Sequence, residues 1–227
     1  MSVITAYFFG LCFGAVLGGF LYTVVWRLFA MLPLFAPSIC GSCRRPVGSS
    51  DQIPILSYWL LGGACRNCGK SIPWQLLTAE IAGALIISIF FVRSGVLIRD
   101  FSGSDIIDFI SGLVAISVLL LTIISDARHR LIFDIIIYPG ALLAVLLALF
   151  QGEFLNRLGG IILGAALYVL PYKLFGGRLI GLGDVKLAGY IGAAFGFWGL
   201  ISASVIAYTL GALASIGLMA SRRIHFK

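Results

Sequence analysis

The sequence predicts an all-α polytopic membrane protein of about seven transmembrane helices, with six to eight compatible, carrying one small zinc-ribbon-like loop on the cytoplasmic side. Three observations predict it. Apolar residues make up 60% of the 227 positions and charged residues only 11%, and the mean hydropathy is +1.08, far from soluble averages. Five separate apolar runs reach the roughly 20 residues needed to cross a hydrocarbon core of about 30 Å. The one long polar stretch carries four of the five cysteines as two Cys-x-x-Cys pairs.

The first run, Val3 to Trp26, has no basic segment before it and exceeds the apolar core of a signal peptide, so it reads as a retained anchor. Cys12 follows bulky Leu11, which argues against a cleaved lipoprotein signal, and is most simply a small buried residue. Gly10, Gly14 and Gly18 repeat every four residues, a spacing that lets one helix pack closely on another. The next four runs are Trp74 to Val92, Ile106 to Ile124, Leu131 to Phe150 and Leu158 to Phe175. The last, Leu187 to Ala220, would be about 51 Å long as one helix, too long for a single crossing, and is expected to break near Gly196-Phe197-Trp198-Gly199. The chain thus divides into a first transmembrane helix at 1–27, a cysteine-rich loop at 28–73 and a transmembrane core at 74–227.

Basic residues orient the spans, because Lys and Arg concentrate in cytoplasmic loops. One set of alternate loops holds Arg27, Arg44, Arg45, Arg66, Lys70, Arg128, Arg130, Lys173, Arg178 and Lys186, and the other only Arg93, Arg99 and Arg157. The N-terminus is therefore expected outside, and Leu28 to Pro73, Ser125 to Arg130 and Gly176 to Lys186 inside. Arg222, Arg223 and Lys227 favour an internal C-terminus and an odd number of helices. The net charge of +7 is mostly topological, suits anionic lipid headgroups and gives no sign of a nucleic-acid partner.

Cys40, Cys43, Cys65 and Cys68 form two pairs separated by 21 residues, close to zinc-ribbon spacing. Four thiolates so spaced can wrap a tetrahedral Zn²⁺, with Gly41, Gly63 and Gly69 allowing the turns. Two disulfides or a redox dithiol are the competing readings, and a cytoplasmic location disfavours both. The metal would be structural, since four protein ligands leave no open position for a reacting water.

The nine acidic residues can be taken one by one. Asp51 belongs to the cysteine loop. Asp100, Asp105 and Glu153 lie in or beside outer loops, as solvated side chains or caps. Asp108 and Asp134 read as first-turn carboxylates at the positive end of a helix dipole. Asp126 and Asp184 differ, because both fall at the cytoplasmic edge of the bilayer, where an ionisable residue invites a functional reading. Two carboxyls brought together cannot both ionise readily, so one stays protonated while the other serves as a base. Gly181 and Gly183 would let the backbone turn tightly beside a substrate chain. Each aspartate could equally cap a helix, and Asp184 could pair with Lys186.

The ordered motifs resemble the bacterial type IV prepilin peptidases, membrane-embedded aspartic proteases of the Gly-x-Gly-Asp type. "GGFLYTVVWRL" is similar to the end of that family's first helix, and the paired cysteines flank "QIPILSYWLLGG". "LLTAEIAGAL" is similar to the second helix with its glutamate, "DARHRLIFD" to the first catalytic segment and "GLGDVKL" to the second. The resemblance implies that Asp126 and Asp184 are the catalytic dyad, with Gly181, Gly183 and Lys186 in the active-site loop, and that Cys40, Cys43, Cys65 and Cys68 bind structural zinc. It implies type IV prepilins or pseudopilins as substrates, cleaved between a basic leader and an apolar stem at the cytoplasmic face of the bacterial inner membrane. It further implies S-adenosylmethionine-dependent methylation of the new N-terminus, depending on the inner loop, with Glu80 a candidate residue for that activity; the alternative reading of Glu80 is a bond to a neighbouring helix. The sequence departs from the family at Phe133, where a proline is common, and at Gln52, where an asparagine is usual.

Other classes fit less well. With only His129 and His225 and no His-Glu-x-x-His helix, a catalytic zinc protease is disfavoured. A membrane thiol oxidoreductase needs its cysteines on the outer side, and a proton-coupled transporter would use the two aspartates as a relay.

Overall fold

The computed structural model describes residues 3–34, 36–95, 97, 102–177 and 180–220. Arg99, Asp100, Arg178, Leu179, Arg222, Arg223, His225 and Lys227, which entered the sequence reading, lie outside these residues. The regular elements are α1 (Val3–Phe29), a 3₁₀ turn (Ser49–Gln52), α2 (Leu56–Leu60), α3 (Trp74–Ser94), α4 (Gly103–His129), α5 (Asp134–Gln151), α6 (Phe154–Leu174) and α7 (Leu182–Ala220). All but the 3₁₀ turn and α2 are long and apolar enough to cross a membrane, so the protein is multi-pass. Among the described residues there are isolated β-bridges but no strand. The chain forms two compact units, Met1–Ile136 and Ile137–Lys227.

In the first unit α1 and α3 run antiparallel along a seam of small residues. Gly10 lies on Ser88, Gly14 on Gly83 and Ala84, and Gly18 on Ala79 and Glu80; a Cβ at Gly14 would stand 2.8 Å from the Ala84 Cα. Apolar side chains gain little by leaving lipid for another apolar surface, so association within a membrane rests on such close backbone approach. The four-residue glycine spacing is therefore a packing stripe. α4 joins this pair at both ends. At one, the Phe109 ring stacks on Phe90 at 5.2 Å and meets Phe91 edge-on at 5.3 Å. At the other, Arg128 and His129 dock on α1. Asp105 closes a capping box with Ser102 at the start of α4, the cap expected of it.

In the second unit, α7 is interrupted at Gly196 (φ 73°, ψ −167°), a conformation essentially reserved for glycine. The partners along α6 show that the chain reverses there. A Cβ at Gly164 would meet the Ala188 carbonyl at 3.0 Å and the Leu200 side chain at 3.3 Å. Twelve residues of continuous helix would separate those two by about 18 Å. Further along, Gly160 lies on Gly192 and Gly196, while the Tyr168 hydroxyl bonds Ser204 at 3.1 Å. α7 is thus a hairpin with arms at 182–195 and 197–220, and the expected break lies at Gly196. Asn156 secures the bend, its Oδ1 accepting the Phe197 N–H at 3.1 Å that the interruption would leave without an acceptor.

Within each unit the charges sort by end. Arg27, the cysteine loop and Arg128 share one end of the first unit, with Arg93 at the other. In the second, Lys173 and the start of α7 share one end, opposite Arg157 and the Gly196 bend.

Candidate active site and metal centre

The cysteine loop is two copies of one small turn. Cys40 N–H bonds the Arg45 carbonyl and Arg44 N–H bonds the Cys40 carbonyl; Cys65, Lys70 and Gly69 repeat both bonds. Each turn needs a left-handed residue after its second cysteine. Gly69 supplies it at φ 67°, but in the first turn Arg44 adopts it at φ 59°, where a residue with a Cβ is strained. Gly63 is also left-handed, whereas Gly41, expected to serve likewise, is not among the positive-φ residues and instead lies against Trp26 of α1. Asp51 accepts a bidentate bond from Arg66, with the shortest N···O distance 2.7 Å, tying the second cysteine turn to the 3₁₀ turn. Gln52 bridges Ser38 and the Val47 carbonyl within the first half.

These turns bring the four Sγ atoms within 4.8 Å of one another, Cys40 and Cys68 at 3.9 Å. A tetrahedral zinc with Zn–S bonds of about 2.3 Å sets its sulfurs about 3.8 Å apart, so the donor set fits a metal such as zinc. The electrostatics agree. Backbone N–H groups of Cys43 and Ser42 pull the Cys40 thiol down to about 6. Lys70 N–H acts likewise on Cys68, but desolvation and the neighbouring Cys65, Cys43 and Cys40 thiols outweigh it and push Cys68 up to about 11. Four thiolates crowd one another until a cation neutralises them.

Asp126 occupies the last turn of α4 with its side chain exposed. Its backbone is fixed on both sides: the fully buried Ser125 hydroxyl donates to the Leu131 carbonyl, and the Asp126 carbonyl accepts from Arg130 N–H at 2.8 Å. Arg128 donates to the Tyr22 hydroxyl with its guanidinium 5.3 Å from that ring centroid, and His129 stacks on Phe29 at 3.6 Å. Phe133, the departure from the family pattern, precedes α5 and accepts from Ile136 N–H at 3.1 Å, so the helix begins at Asp134 without a proline.

Asp184 occupies the first turn of α7, exposed, with Oδ2 accepting the Gly181 N–H at 3.1 Å. That bond is the helix cap anticipated as one reading. The first arm has only 14 residues, about 21 Å, less than a hydrocarbon core of about 30 Å. Ala188, one turn on from Asp184, packs against Gly164 in the middle of α6 beside Leu200 of the second arm, while α6 continues to Leu174 and the second arm to Ala220. Asp184 is therefore recessed below the ends of its neighbours. Gly181 is exposed, and Gly183 and Lys186 lie half-buried in the first turn. Asp126 belongs to the first unit and Asp184 to the second.

Glu80 is buried in α3, and its Oε2 accepts the Ile55 N–H at 2.7 Å. Ile55 itself is left-handed at φ 64°, rare for a β-branched residue. Several contributors carry roles that the sequence reading does not assign. Tyr22 and Ser125 are such cases; so is Arg27, counted there only for its charge and motif, which is buried and donates to the carbonyls of Pro33, Leu34 and Pro37 to shape the loop's first turn.

Residues 12–94 match the Bacterial Peptidase A24 N-terminal domain, and residues 113–216 match the Type IV leader peptidase family. Curated relatives named prepilin leader peptidase/N-methyltransferase are similar along most of the chain. The protein from Bacillus subtilis (strain 168) is 29% identical over 93% of this chain and 83% of its own length. Those from Klebsiella pneumoniae and Aeromonas hydrophila are each 28% identical, over 82% and 83% of this chain and 84% and 64% of their own lengths. No solved structure matches. Both parts of one peptidase architecture are matched in order, and the chain belongs to the bacterial type IV prepilin peptidase family.

Proposed function

We propose that this enzyme removes the basic leader of type IV prepilins or pseudopilins at the cytoplasmic edge of the bacterial inner membrane, with Asp126 and Asp184 as its acid–base pair. The observation that carries the reading is the setting of Asp184: a carboxylate held by one oxygen, recessed at the glycine-marked start of a short arm, beside longer helices. A basic leader followed by an apolar helix stops with its junction at the inner membrane edge, so the cleaving groups belong at that depth.

One aspartate, ionised, takes a proton from a water whose oxygen bonds to the scissile carbonyl carbon. The other, protonated, supplies a proton as the C–N bond breaks, releasing the leader's carboxylate and the mature chain's amine. The Gly181 N–H would fix the Asp184 carboxylate, while Gly183 leaves room for an unwound substrate and Lys186 lends positive charge beside it. Cys40, Cys43, Cys65 and Cys68 would hold zinc, which supplies folding of the loop and no chemistry. The freed amine would then accept a methyl group from S-adenosylmethionine, with the loop and Glu80 contributing to that second activity.

The test is cleavage of a prepilin by purified protein in liposomes, comparing wild type with Asp126→Asn and Asp184→Asn. Each variant should fold and lose cleavage by several orders of magnitude. Variants that cut at the wild-type rate would make both aspartates structural. Mass spectrometry of the product, with and without S-adenosylmethionine, reports the methylation.

A further inference from the structure

We propose that α2 and its flanks are a lipid-embedded foot, inserted into the membrane interface on the side of the cysteine loop and held at depth by Glu80. α2 presents a face with no protein cover: Leu56, Trp59 and Leu60 are 60%, 72% and 83% exposed, beside exposed Ile53. Depth is set by the Glu80–Ile55 bond. Glu80 lies six residues into α3, about 9 Å along its axis from Trp74, and Trp74 is an exposed aromatic at the end of a span, where such residues sit at the interface. The residue opening α2 is bonded to Glu80 at that level, within the roughly 5–10 Å at which interfacial helices bury their apolar face.

The bond also has a chemical reason. A backbone N–H below the headgroups has no water to accept it, and a carboxylate inside a span needs a partner; Glu80 and Ile55 answer both. Phe29 at the end of α1, Met31 just beyond it and Trp74 at the start of α3 are exposed apolar residues at the same end of the first unit as the cysteine loop. Exposed Arg44, Arg45, Arg66 and Lys70, set against the single Asp51, favour anionic headgroups. A phospholipid bilayer is therefore the occupant, independently of which bond the enzyme cuts.

The test uses the full chain in liposomes of phosphatidylethanolamine and phosphatidylglycerol doped with lipids brominated at a shallow or a deep acyl position. The chain has four tryptophans, so the emission difference between wild type and Trp59→Phe isolates Trp59. Shallow bromine should quench that component several-fold more than deep bromine, and aqueous iodide should not reach it. Glu80→Ala should move it toward iodide, with helix content unchanged. Iodide quenching without lipid quenching in wild type would overturn the proposal. So would shielding that arises only with added prepilin peptide or at high protein density, which would make the occupant a substrate or a second copy. If Glu80→Ala leaves the profile unchanged, Glu80 is not the anchor and the proposal fails in that part.

Discussion

Arg128 donates to the Tyr22 hydroxyl while its guanidinium lies over the same ring, two residues beyond Asp126 in the sequence. Tyr22 is buried at the end of the α1–α3 seam, so the pair transmits the position of a rigid helix pair to the end of α4. If Asp126 is catalytic, Tyr22 and Arg128 are positioning residues. Arg128→Leu should lower kcat about ten- to a hundredfold, the range that small misplacements produce, with KM nearly unchanged. Tyr22→Phe, which keeps the ring, should lose much less. Steady-state kinetics on a prepilin peptide separates the two parameters.

Gly181 holds Asp184 through its N–H rather than through its size. A Cβ there would stand 3.5 Å from the Asp184 Oδ2, ordinary contact. Gly181→Ala should therefore retain most activity, whereas Gly181→Pro deletes the donor and should lower kcat at least tenfold. Equal losses in both would make the glycine a requirement of space or backbone conformation.

The seam glycines and the exposed glycines should respond oppositely. Gly14→Leu forces a side chain into the Gly83–Ala84 backbone and should destabilise the first unit by about 3 kcal/mol or more, beyond ordinary overpacking because backbone must move. Gly211 has open space around it, and Gly211→Ala should be neutral or stabilising by up to about 1 kcal/mol through helix propensity. Thermal unfolding in detergent measures both.

At the bend, Gly196→Ala meets two penalties: a backbone region closed to L-residues and a clash with the Asn156 amide at 2.6 Å. About 3 kcal/mol or more should be lost. Asn156→Ala removes the acceptor for Phe197 N–H, together with an exposed Nδ2 bond to Glu153, and should cost about 1–3 kcal/mol. Unfolding midpoints of the two variants rank the effects.

The cysteine cluster should bind one zinc per chain, and replacing any one of the four cysteines by serine should release it. In metal-free protein Cys40 should be alkylated first at neutral pH, its rate rising through a midpoint near 6, while Cys68 stays slow until about 11. The sign follows from the depressed Cys40 thiol. Its contribution to the folded loop is complete above the ordinary value of 9.0 and is lost as pH falls through about 6. Zinc retention should fall in the same direction, because protons compete for the thiolates. Mass spectrometry of alkylated peptides and metal analysis across pH check these outcomes.

Hydropathy alone located the long helices to within a few residues, because crossing lipid demands long uninterrupted apolar runs whatever the partners. The Gly196 break was legible for a related reason: a run of that length cannot lie in one bilayer as a single pass. The two Cys-x-x-Cys turns were legible in spacing, yet the left-handed position in the first fell to Arg44 and not to a glycine, which no composition rule exposes. The Tyr22–Arg128 pair joins residues 106 apart in sequence, and nothing in their separate motifs pairs them until α1 and α4 lie side by side.

Class, spans, cysteine pairing and the two candidate aspartates were determined by the sequence itself, since each follows from local composition, spacing or an ordered set of motifs. Tertiary structure alone decided what holds them. The Glu80 bond to Ile55, the recess around Asp184 and the closeness of the four sulfurs depend on backbone reversals and helix contacts. These are non-local, and their partners become neighbours only when the chain has folded.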